Sequence, residues 1–125
     1  MTYDDNLSHS FGLASSDPFV VRWRDLDTFT AGEELERLAD WISWIAARYD
    51  LDHKVIPACW AKHGALVEEL SALRTFWESC FQDDAGPSEP LAFHRDLTLA
   101  VRRLRDWTSL LGCTRTVHRD GLTAN

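Results

Sequence analysis

At 125 residues the chain has the length of one domain, enough to bury a real core. Its 45% hydrophobic and 26% charged content is that of a globular protein rather than a disordered one, and no apolar run approaches the roughly 20 residues that span a bilayer. A net charge of −7 argues against a generic binder of nucleic acid or membrane surface.

In chain order, residues 1–17 are polar, rich in Ser and Asp, and without apolar period; they read as a mobile N-terminal arm ahead of a single helical domain over 18–125. The opening MTYDDNLSHS lacks the basic segment and apolar run of a secretory leader, so the expectation is a cytoplasmic protein with no membrane partner. Phe19, Val21 and Trp23 alternate with Val20, Arg22 and Arg24, which suits a short extended strap. One strand alone has no sheet to join.

The first helix is predicted over 31–49. Thr30-Ala31-Gly32-Glu33 forms a capping box, and Leu35, Leu38, Ile42, Ile45 and Tyr49 recur at helical spacing. Trp41 and Trp44 widen that stripe toward two neighbours, and Glu33 and Arg37 are placed to pair one turn apart. A second helix is predicted over 57–82, with Pro57 in its first turn and an inner stripe of Leu66, Leu70, Leu73, Trp77 and Cys80 or Phe81. Gly64 marks either a kink or the start of its regular part. The third helix, over 89–111, is capped by Ser88 and stopped by Gly112, with Leu97, Val101, Leu104, Trp107 or Thr108, and Leu111 facing inward. These elements predict an all-α fold, an antiparallel bundle of three main helices with a polar C-terminal tail.

The tail and the second helix carry the chemistry. Cys59-x3-His63 and Cys113-x4-His118 supply two thiolates and two imidazoles, the donor set of a closed tetrahedral zinc site. In a bundle the start of the second helix and the end of the third share one end, so the two pairs can converge there. Four protein ligands leave no open coordination position, which favours a structural ion over a catalytic one. With three cysteines, a Cys59–Cys113 disulfide or plain burial are the alternatives. Asp50-x-Asp52-His53 reads as a polar loop ending a helix. No phosphate loop, nucleophile elbow, zinc-protease motif or dinucleotide fingerprint is present, so the expectation is a protein that is not an enzyme.

Charge is unevenly spread. Residues 91–125 hold six arginines against three aspartates, so a local excess of +3 sits beside −10 in the rest. Arg102, Arg103 and Arg105, with Arg115 and Arg119, form a candidate basic surface for phosphates; pairing with acidic neighbours is the plainer account.

The run IPACWAKHGALVEELSALRTFW (56–77), followed by FHRDLTLAVRRLRDWTSLLGCTRTVHR (93–119), resembles an uncharacterised actinobacterial domain family found on plasmids, integrated mobile elements and phages. The CWxxH and GCxxxxHR segments are the most specific part of that resemblance, which covers roughly residues 30–119. It implies a shared role for Cys59, His63, Cys113 and His118, and it brings no activity. The 11 arginines against 2 lysines suit a GC-rich genome. The expectation is therefore a small non-enzymatic helical module of mobile-element origin, acting through contacts with an unidentified protein partner and holding a structural zinc ion. A DNA-associated accessory protein using the basic face is the alternative.

Overall fold

The computed structural model describes residues 18–113 together with His118 and Arg119; the expected N-terminal arm and Arg115 lie outside the described residues. Among these residues there are three α-helices, α1 (Thr28–Tyr49), α2 (Gly64–Cys80) and α3 (Glu89–Leu111), and no strand. The fold is all-α, as the three apolar stripes require.

Helix α1 begins three residues before the expected start. Asp27, not Thr30, is its N-cap, and the Asp27 carboxylate accepts from the Thr30 amide at 2.7 Å. A short carboxylate reaches the first-turn amides as well as a hydroxyl does, and its charge suits the helix N-terminus. Arg37 bonds not Glu33 but Glu34, at 2.9 Å, and Glu34 is buried. The helix stops at Asp50, which adopts the left-handed conformation (φ 56°).

Helix α2 starts at Gly64, seven residues after Pro57. Proline biases Ile56 away from helical geometry, and glycine is a poor helix former. Residues 57–63 instead form turns, including a 3-10 helical turn at Trp60–Lys62, and His63 is extended at the entry to α2. Helix α3 has the predicted bounds and stops at Gly112 in the left-handed region (φ 80°). Ser88 occupies its N-cap without a side-chain bond; Glu89 accepts from the Gly86 amide at 3.2 Å instead.

Helices α2 and α3 run antiparallel. Arg103 reaches Glu69, Phe93 packs on Phe76 and Phe81, and Cys113 meets His63. Helix α1 lays Trp41 and Trp44 against Trp77 near the far end of α2, and Tyr49 against Phe93 of α3. The fully buried centre is Leu38, Ile45, Leu66, Leu70, Phe93 and Leu104. Trp44 (43% exposed) and Trp107 (37%) are only partly covered, against the expectation that both are core; Thr108 takes the inward position beside Trp107. The strap is real. Val21 and Trp23 are half-buried, and Thr75 Oγ1 donates to the Phe19 carbonyl at 3.1 Å, tying the strap to α2.

Candidate metal centre

The segment between α1 and α2 is fixed by local bonds before it reaches Cys59. Asp52 Oδ1 accepts from the Lys54 amide at 3.0 Å, and the Asp52 carbonyl accepts from Val55 and Ile56, a compact Asx turn. Val55 is buried, and its carbonyl accepts from Thr108 Oγ1 of α3 at 3.2 Å. That bond pins the segment to the C-terminal end of α3. Cys59 then leads into the 3-10 turn and His63 closes it.

From the other side, Gly112 turns the chain so that Cys113 folds back under α3, 8% exposed. The Arg119 guanidinium lies over Gly112, where a Cβ would come within 2.8 Å of Nη1. Glycine is needed at 112 both for its φ and for that close approach.

The two pairs converge, as their spacing predicted. His63 Nε2 lies 3.5 Å from Cys59 Sγ and 3.4 Å from Cys113 Sγ, and Cys113 Sγ lies 3.6 Å from His118 Nδ1. All four donor atoms fall within 4.8 Å of one another. A tetrahedral ion with bonds of about 2.3 Å to sulfur and about 2.05 Å to nitrogen requires sulfur–nitrogen edges of about 3.6 Å. The three measured edges match that figure, so these four residues can hold a metal ion. His63 and Cys113 are buried, Cys59 is half-buried and His118 is exposed.

Burial, followed by the hydrogen bond and charge of Cys113, pushes the Cys59 thiol above its ordinary range; a bound cation reverses that balance. The Arg119 amide donates to Cys113 Sγ at 3.3 Å, tying the chain beyond α3 back to that sulfur. Sequence spacing did not reveal this donor. No disulfide joins Cys59, Cys80 and Cys113.

The arginines are dispersed. Arg102, Arg103, Arg105 and Arg119 are all exposed, but successive helical residues turn by about 100°, which sets Arg103 roughly 160° from Arg105. Arg102 and Arg105 are about 60° apart on one side of the helix. Arg103 is held by Glu69 at 2.6 Å. Arg105 instead joins His53 and Lys54 around a cleft of about 400 Å³ that reaches Cys113. Among the described residues Arg102 and Arg105 have no carboxylate partner.

Compared with protein-family models, with curated proteins and with solved structures, the chain matches none. The resemblance to the actinobacterial mobile-element family therefore rests on its residue motifs alone. Among the described residues no helix is long and apolar enough to cross a membrane.

Proposed function

We propose that the chain is a small non-enzymatic helical module in which Cys59, His63, Cys113 and His118 hold one structural zinc ion, and that it acts through contacts with another protein. The observation that carries this reading is the set of four convergent donors. Two thiolates and two imidazoles are the borderline-soft set that suits zinc, their charges balance a dication, and a filled tetrahedron leaves no place for substrate. The ion's work is mechanical: it fastens the chain after α3 to the entry of α2. Incompletely covered Trp44 and Trp107 support docking of a protein, since such rings anchor interfaces. The mobile-element origin implied by the motif resemblance belongs to the same proposal.

Metal analysis of protein purified without added ions tests it. One zinc per chain is expected, lost in Cys59→Ser and Cys113→Ser and kept in Cys80→Ser, because Cys80 is buried away from the centre. One metal per chain surviving loss of both Cys59 and Cys113 refutes the site.

A DNA-associated role is the second reading, favoured by the exposed Arg102 and Arg105, which have no carboxylate partner among the described residues. Charge reversal at Arg102, Arg103 and Arg105 should then weaken duplex binding for all sequences alike, with a steep salt dependence. Absence of binding at low salt removes it.

A further inference from the structure

The outward face of α3 is neither plainly polar nor random. Leu91, Arg95, Leu99, Arg102, Asp106 and Leu110 are all exposed, and at 100° per residue they fall within an arc of about 100°. That arc lies opposite the buried Phe93, Leu97, Leu104 and Leu111. Leu91 (70% exposed), Leu99 (47%) and Leu110 (59%) are the exposed leucines among the described residues, and all three belong to this one stripe. A helix face that needed only to meet water would not collect them.

The stripe has a second property. Its residues are separated by steps of four, four, three, four and four, a series that reads the same from either end. Set against a second copy running the other way, Leu91 meets Leu110 of the other chain, Arg95 meets Asp106, and Leu99 meets Arg102. Every contact occurs twice, as two-fold symmetry demands. The apolar residues cover one another at both ends, and the aliphatic stem of Arg102 covers Leu99. Opposite charges coincide where a random face would as often set like charges together.

We propose that α3 is a self-association surface, and that its occupant is a second copy of this chain, paired antiparallel about a two-fold axis between residues 100 and 101. Arg95 leaves its exposed pairing with the neighbouring Asp96, at 3.2 Å, for Asp106 of the second copy. The two copies of Arg102 flank the two-fold axis, about 4.5 Å apart along the helices, and turn their guanidinium groups outward to water. The stripe is about 28 Å long. A single helix pair of that length covers less than the roughly 800 Å² per partner of a standard interface, so the dimer exchanges with monomer rather than being permanent. The inference names a partner that the proposed function leaves open, and it stands without the metal reading because every residue it uses lies on α3.

Sedimentation velocity on the full 14.3-kDa chain, from about 1 μM to several hundred μM, tests the pairing. A concentration-dependent shift to twice the monomer mass is expected. Arg95→Glu sets Glu against Asp106, and Asp106→Arg sets Arg against Arg95, each twice per dimer. Either single variant should weaken association at least ~10-fold. The double variant carrying both should recover it, which no effect on folding alone explains. Arg102→Leu, which removes like charge at the axis, should tighten association. A chain that stays monomeric overturns the proposal, and if it still binds zinc the metal reading survives. Single variants as associated as the parent, or a double variant that does not recover, overturn it equally.

Discussion

On the proposed zinc reading, removing the ion should soften the protein without unfolding it. The fully buried residues Leu38, Ile45, Leu66, Leu70, Phe93 and Leu104 belong to the three helices, and only His63 and Cys113 of the ligand set are themselves buried. A ligand present at about 1,000 times its dissociation constant stabilises the folded state by about 4.1 kcal/mol. With a melting entropy of about 2.1 cal/mol/K per residue over roughly 100 described residues, each degree corresponds to about 0.2 kcal/mol. Chelation of a saturated sample should therefore lower the melting temperature by ~20 °C. Far-ultraviolet circular dichroism at 25 °C should still report a helical protein, and amide exchange should rise first at Cys113 and Arg119, whose amide donates to the Cys113 sulfur. Calorimetry with and without chelator, followed by re-addition of zinc, measures all of this. A melting temperature indifferent to chelator refutes metal binding. A chain that becomes random coil at 25 °C refutes the claim that the helical core stands on its own.

Three further outcomes follow from the geometry of the core and the caps. Thr108→Val keeps the shape but strands the buried Val55 carbonyl, which should cost about 1–3 kcal/mol in urea unfolding and weaken zinc affinity by loosening the approach to Cys59. Phe93→Ala, at a position with no exposure, should cost about 3–5 kcal/mol, measured the same way. The Thr30 amide holds the Asp27 carboxyl below its usual value, so this cap contributes above the unfolded-state pKa and is lost as pH falls through the lowered folded one. Acid titration of stability in the metal-free chain should therefore show a shallower low-pH limb for Asp27→Asn than for the parent.

The parts of the fold that were legible in sequence are those that local chemistry decides. Helix α3 kept its bounds because the Ser88–Glu89–Pro90 start and Gly112 stop act within one turn. The start of α2 was misplaced because Pro57 satisfies the rule for a first helical turn, while the fixed path from Asp52 through Val55 to Cys59 depends on Thr108, 53 residues away. Trp107 and Thr108 could not be separated by period, since they are neighbours on the helix and only the packing of α3 decides between them. Convergence of the four ligands was readable because an antiparallel pair of helices sets one start beside one end. The scattering of Arg102, Arg103 and Arg105 around α3 was equally implicit in the helical turn, and adjacency in sequence had masked it. Arg119 at the centre was not readable: it acts there through its backbone amide and through contact with Gly112.

The separation of the ligands has a topological consequence. His63 and Cys113 are 50 residues apart, so an occupied centre closes α2, its connection and α3 into a ring. By the chain-entropy account of a crosslink, a loop of that length disfavours the open chain by about 4 kcal/mol. Helix α1 lies outside the ring, held to it by packing, by a Tyr49–His94 hydrogen bond at 3.0 Å and by the chain that leads on to Cys59. The molecule is thus divided into a cyclised hairpin and an appended helix, and under mild denaturant α1 is the unit free to open by itself while the ring stays closed.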